Sequence, residues 1–179
     1  MSLKDHPDTL FRKQEIVILS SFQQSDFEAV KALKESYDLQ KIIQGYLFPH
    51  SDDAIKYWFD KISNPGETPS ELHWAVRSQD AFLGYVALHR IDWINRNAEI
   101  GIVLNSRQKG IGTQAVNSIL HIAKNDLGLH KIYARVLQPN VPAIHMFTKL
   151  NFSVEGTLVD DRLYNGAWTT NIILAKFLR

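Results

Sequence analysis

The chain has 179 residues, of which 45% are hydrophobic and 22% charged, the balance of one soluble globular domain long enough to bury a core. A formal net charge of +1 leaves no strong field for nucleic acid or an anionic membrane surface. With no cysteine, disulfides, thiolate zinc sites and a cysteine nucleophile are excluded. The polar stretch Met1–Lys13 is not a secretory leader, and no apolar run reaches membrane-spanning length, so a cytoplasmic protein is expected. In chain order, Glu15–Leu19 reads as a first strand, and Asp26–Tyr37 and Leu39–Leu47 read as two short helices. Ser51-Asp52-Asp53 caps a third helix that carries Ile55, Trp58, Phe59 and Ile62 on one stripe. Leu72–Val76 and Phe82–His89 flank the polar turn Ser78-Gln79-Asp80 as a hairpin. A loop over Trp93–Asn97 leads into a strand at Ala98–Leu104, and a helix follows over Thr113–Leu127. No repeat, low-complexity tract or linker divides the chain, so 1–179 is expected to form a single mixed α/β domain.

The junction Arg107-Gln108-Lys109-Gly110-Ile111-Gly112-Thr113 carries the most chemistry. Glycines between a strand and a helix let backbone N–H groups crowd an anion, and the helix dipole reinforces the site. A phosphorylated ligand is therefore expected at Gln108–Thr113. A nucleoside-triphosphate P-loop needs Gly-Lys followed by Ser or Thr, whereas Lys109 here precedes Gly110. A dinucleotide fingerprint needs a third glycine, and Ala115 stands there; Asp126 comes too early and Glu155 too late for its acidic residue.

Arg107-x-x-Gly110-x-Gly112 resembles the pyrophosphate loop of the GCN5-related N-acetyltransferases (GNAT). About thirty residues on, the stretch Asn140-Val141-Pro142-Ala143-Ile144-His145-Met146-Phe147-Thr148-Lys149-Leu150-Asn151-Phe152 is similar to that family's Asn-x-x-Ala-Ile-x-x-Tyr-x-Lys-x-Gly-Phe helix. Leu129–Val136 resembles the strand between them. Glu155-Gly156, Tyr164-Asn165-Gly166 and a final apolar strand resemble the ribosomal-protein and spermidine acetyltransferase branches. The resemblance implies one mixed, mostly antiparallel sheet with helices on both faces. Two central strands, Ala98–Leu104 and Lys131–Val136, splay apart in a V. It further implies an acetyl-CoA-dependent N-acetyltransferase that acts on a primary amine without a metal. Ile102, Val103 and Leu104 would pair with the pantetheine of acetyl-CoA. The backbone of Gln108, Lys109, Gly110, Ile111, Gly112 and Thr113 would hold its pyrophosphate, and Asn140 would bond the pantetheine from the far side.

An amine must lose a proton before it attacks the thioester, and the carbonyl oxygen gains charge that a strand N–H near Val103 would stabilise. Glu99, on the strand entering the cleft, is the expected base, directly or through a water; it could equally attract a cationic amine or simply pair with an Arg or Lys of a neighbouring strand. Phe147 replaces the tyrosine that often serves the family as general acid. His145 is two residues away and so on a different helix face. Asn151 stands for a glycine and tolerates the same left-handed backbone.

For the acceptor, the aromatics Trp93 and Tyr164 could stack on a sugar ring, while Asp160-Asp161 reads as a solvated turn that could otherwise hold a polyamine. A polyamine, a protein N-terminus and an amino sugar all remain open. The alternative is a non-catalytic acyl-CoA-binding or sensory module, favoured by Phe147 and opposed by the retained loop and Glu99. No nucleic-acid or membrane partner is expected; the resemblance leaves room for a homodimer paired through exposed sheet edges or terminal strands.

Overall fold

Capping chemistry and strand alternation set most element boundaries in the computed structural model, which describes residues 16–44, 48–105 and 109–179. Strand β1 (Val17–Ser20) and a 3-10 turn (Gln24–Asp26) precede three helices, α1 (Phe27–Glu35), α2 (Tyr37–Gln44) and α3 (Asp52–Ser63). Ser51 caps α3 by accepting the Ala54 N–H at 3.2 Å, as its position before two aspartates predicts. Strands β2 (Leu72–Ser78), β3 (Ala81–Asp92) and β4 (Asn97–Leu104) form a meander. Helix α4 (Ile111–Asn125), strand β5 (Lys131–Leu137) and helix α5 (Val141–Lys149) follow, and the hairpin β6 (Ser153–Tyr164) and β7 (Ala167–Phe177) closes the domain. The second expected helix is described only to Gln44, because residues 45–47 lie outside the described residues.

Among the described residues these strands form one seven-stranded sheet in the order β1-β2-β3-β4-β5-β7-β6. Every neighbouring pair is antiparallel except β4 and β5. That parallel pair holds register only at Asn97↔Lys131, Ala98↔Ile132 and Glu99↔Tyr133, and then the strands separate. The expected splay is therefore present, with its vertex at Glu99.

The two faces of the sheet are covered differently. On one, Ala98, Ile100 and Ile132 of β4 and β5 pack with Ile111, Val116 and Ile119 of α4 and with Phe147, all buried in the main core. On the other, Tyr85 and Val103 meet Leu33 of α1, Leu39 of α2 and Trp58 of α3. A buried ion pair pins this second layer. Arg77 Nη2 donates to Asp26 Oδ2 at 2.5 Å and Arg77 Nε to Ser20 Oγ at 3.0 Å. Asp26 also accepts the Gln23 N–H at 2.7 Å.

Two irregularities depart from the sequence reading. Strand β3 continues past His89 to Asp92, through a register shift at which Arg90 takes a left-handed backbone with φ of 49°. Asp160-Asp161 is not a turn but a bulge inside β6. Asp160 has φ of 52°, and Asp161 accepts Asn171 Nδ2 at 2.9 Å, which keeps the strand paired with β7 across the interruption. Asn151 ends α5 with φ of 64°, the role expected for the missing glycine.

Candidate active site

Beyond Glu99, the edge of β4 that would bond β5 instead faces an opening between the strands. The resulting cleft, about 80 Å³, is lined by Ile100, Gly101 and Ile102 of β4, by Ala134–Leu137 of β5 and by Asn140, Ala143 and Phe147 of α5, with Ile42 and Ile43 of α2 at its side. Apolar walls beside a free strand edge suit a thin, amide-bearing arm. Val103 is buried, and Ile102 and Leu104 are half-buried beside the main core.

The C-terminal end of β4 leads to α4. Gly110 caps the helix with φ of 94°, a conformation glycine takes without a Cβ clash, and no side chain of the described residues caps the first turn. The amides of Ile111, Gly112 and Thr113 therefore open the helix at its positive end, with Lys109 exposed beside them. Gly112 has a second use: a Cβ there would stand 2.9 Å from Met146 Sδ, so its absence lets α4 lie against α5. Gln108, together with Arg107, lies outside the described residues. Asn140 stands at the start of α5, where its Oδ1 accepts the Ala143 N–H at 3.3 Å, and it lines the cleft. Phe147 is buried, stacks edge-on against Phe152 at 5.0 Å between ring centres, and lines the cleft; His145 is exposed.

At the vertex a wider cavity of about 430 Å³ opens to solvent, lined by Ser70, Glu71, His89, Arg90 and Glu99. The bulge at Arg90 creates it. In an uninterrupted strand His89 and Arg90 would point to opposite faces, but here both line the same hollow. Glu99 pairs through Oε2 with the Arg90 guanidinium and, at 3.6 Å, with Arg135 Nε. Glu71 gathers Lys61 at 3.0 Å, His73 Nε2 at 3.2 Å and His89 Nδ1 at 3.4 Å. Burial works to raise the Glu71 carboxyl, but the hydrogen bonds from Lys61 and His73 prevail and hold it down at about 2. Burial pushes His73 down to about 4 against the opposing pull of Glu71, so it is neutral at pH 7, and its Nδ1 has no partner among the described residues.

Of the residues expected from the sequence, Ile102 and Asn140 line the splayed cleft and Glu99 lines the open cavity at its vertex, while Ile111, Gly112 and Thr113 lie at the start of α4. The sequence reading did not find Glu71, His89 or Arg90. A histidine ending the apolar run Phe82–Leu88 was the available signal, but the bulge that brings Arg90 to the rim of the cavity leaves no mark in the residue pattern. Trp93 does not reach the cavity: its Nε1 donates to the Pro69 carbonyl at 3.0 Å and its ring packs on the main core. Tyr164 lines a separate groove with Pro139 and Trp168 at the opposite end of β5.

A family model described as an acetyltransferase (GNAT) domain matches residues 17–153. The chain belongs to the GNAT acetyltransferase family. This N-acetyltransferase is 28% identical over 156 residues to the spermidine N(1)-acetyltransferase of Escherichia coli K12, covering 80% of this chain and 82% of that one. It is 33% identical over 130 residues to the Vibrio cholerae spermidine N(1)-acetyltransferase, covering 65% and 75%. The crystal structure of spermidine N-acetyltransferase from Vibrio cholerae in complex with CoA and spermine superposes with a TM-score of 0.81 over 91% of this chain and 96% of that one; at 24% identity the likeness is one of fold. Among the described residues no helix is long and apolar enough to cross a membrane.

Proposed function

We propose that this N-acetyltransferase moves the acetyl group of acetyl-CoA directly to a primary amine of a small polyamine. The observation that carries the reading is the meeting, at Glu99, of the splayed β4 edge with an open cavity holding two carboxylates. The α4 amides of Ile111, Gly112 and Thr113, with Lys109, Gly110 and Gln108, would receive the pyrophosphate. The backbone of Ile102, Val103 and Leu104, with Asn140, would hold the pantetheine. A β4 N–H near Val103 would donate to the thioester oxygen as charge develops there. Both guanidinium contacts of Glu99 fall on Oε2, so Oε1 is the oxygen it offers to an ammonium, directly or through a water. Holding amine and thioester together in this way supplies several kcal/mol of the barrier. Arg90 and Arg135 neutralise Glu99 in part, so the choice of a polyamine over an amino sugar or a protein N-terminus rests on the spermidine acetyltransferases the chain is similar to.

Direct attack of an amine on a thioester needs no Lewis acid, and the reaction is proposed to run without metal in the cytoplasm. The test is thiol release from acetyl-CoA against polyamines, amino sugars, aminoglycosides and peptides with free N-termini. Saturable turnover with spermidine or spermine, insensitive to a chelator, supports the reading; turnover with sugars or peptides alone replaces the acceptor class. Acetyl-CoA binding without turnover favours the sensory module, for which the observation is Phe147: its buried ring brings no hydroxyl to the cleft.

A further inference from the structure

We propose that His89, oriented by Glu71, is the catalytic group that takes the proton from the acceptor amine. This rests on the acetyltransferase reading above and names the proton acceptor of the same site.

His89 is the cross-strand partner of Glu99, so a cation drawn to that carboxylate is presented next to the imidazole. The ring is 37% exposed and lines the open cavity, which gives its proton a path to solvent. Its Nδ1 faces the Glu71 carboxylate at 3.4 Å, an arrangement that keeps the N–H on Nδ1 and leaves Nε2 as the acceptor. Nε2 lies against β4 at Gly101, where a Cβ would stand only 3.1 Å away. Gly101 also lines the cleft of the cofactor arm, so Nε2 sits where cavity and cleft meet. Residue 101 has no side chain to separate them.

The surrounding charges fit this division of labour. Facing His89 are Glu71 before β2, His73 on β2, Arg90 on its own strand and Glu99 on β4, with Lys61 of α3 and Arg135 of β5 behind the two carboxylates. Glu71 remains a carboxylate down to about pH 2 and can stabilise an imidazolium. His73 shares that carboxylate but is buried and held neutral, so it cannot trade a proton with the amine. Glu99 already carries two guanidinium partners on one oxygen.

In the step, the ammonium N–H breaks and its proton moves to His89 Nε2, freeing the nitrogen lone pair. That pair forms the C–N bond to the acetyl carbon, the C–S bond breaks, and the sulfur leaves with its electron pair. The second amine proton passes to the sulfur, giving the amide and the free thiol. The proton on His89 returns to solvent through the cavity.

The experiment is the pH profile of kcat/KM, with an amine identified by the panel, for the parent protein, His89→Gln and Glu71→Gln. His89→Gln is expected to lose roughly 10²- to 10⁴-fold in kcat, with acetyl-CoA affinity retained by calorimetry. It should also lose the acidic limb of the profile. Glu71→Gln is expected to lower kcat by a smaller factor than His89→Gln, with the limb retained, because His89 keeps its place but loses the carboxylate that holds its Nδ1. In His89→Ala, added imidazole should enter the open cavity and restore part of the rate. A parent that turns over, with a His89→Gln variant that stays within about threefold or keeps the same limb, overturns the assignment and leaves the acetyltransferase reading intact. Loss of rate with an unmoved limb and no imidazole rescue likewise assigns His89 a structural part and overturns it. A parent inactive on every amine overturns the underlying reading, and this one with it.

Discussion

Glu99 contributes charge at the vertex, and its substitution separates charge from packing. Glu99→Gln keeps the size and removes the anion from the Arg90 and Arg135 guanidiniums. It is expected to raise KM for the amine and lower kcat/KM by roughly 10- to 100-fold, with acetyl-CoA affinity unchanged, as steady-state kinetics would read. Unchanged kinetics would leave Glu99 a strand-to-strand ion-pair partner. His73 gives a different prediction, on stability. Its folded-state value of about 4 lies below the ordinary 6.5, so the unfolded chain binds the extra proton first. This contribution is complete above pH 6.5 and drains away as the pH falls toward 4, on the order of 3 kcal/mol in all. Glu71, also depressed, extends the loss from pH 4.5 toward about 2. His73→Phe should flatten the dependence of the denaturation midpoint between pH 6.5 and 4; an unchanged slope would move the titration elsewhere. At this scale the sequence was most legible where a residue type has one backbone use, as at Gly110 and Asn151, both of which take positive φ. It was least legible where a side chain's partner lies on another strand, as with His89 and Glu71, whose contact depends on register.

Elements were legible where period and caps agree. Ser51 before α3 and the alternation of β4 placed those boundaries within a residue or two. The bulges at Arg90 and Asp160 were not, because the residues that take left-handed backbone there are an arginine and an aspartate rather than glycines. Gly84 shows the reverse case, a glycine that the sequence does not explain and the sheet does. It sits in β3 opposite Leu104 with φ of 137°, and a Cβ would come within 2.1 Å of the Val103 carbonyl oxygen. The clash is with backbone, so β3 and β4 would have to separate along the part of β4 proposed to hold the cofactor arm. Gly84→Ala is expected to destabilise the fold by more than about 3 kcal/mol and to weaken acetyl-CoA binding in whatever fraction folds. Chemical denaturation and calorimetry would measure the two effects; a loss under about 1 kcal/mol would show that the strands yield readily.

On the scale of the molecule, the edge formed by β6 matters most. Val154, Val159 and Leu163 on that strand and Trp168 on β7 are all exposed. Isolated apolar residues are ordinary on a surface, but with Phe177 there are five on one terminal hairpin, and β6 is the outer strand of the sheet. We propose self-association there, consistent with the expected homodimer. Val159→Lys with Trp168→Lys should lower the mass seen by light scattering to that of one chain while the far-UV spectrum stays the same; a parent that is already monomeric would remove the proposal. The overall architecture was the most legible level of all, because the loop at Gly110 and the helix at Asn140 fix the order of the central elements between them. The position of the open cavity at Glu99 was not, since it depends on the register shift in β3 at Arg90.

The three registered pairs between β4 and β5 make the sheet a book whose spine is stitched only at the foot. Strands β1–β4 form one board and β5–β7 the other, each stitched along its length by antiparallel ladders. A molecule lying between the boards would act as binding thread. The amides of Ile100–Leu104 that face the opening should then exchange with deuterium readily in the ligand-free protein and become protected when acetyl-CoA is bound, while those bonded to β3 should stay protected throughout.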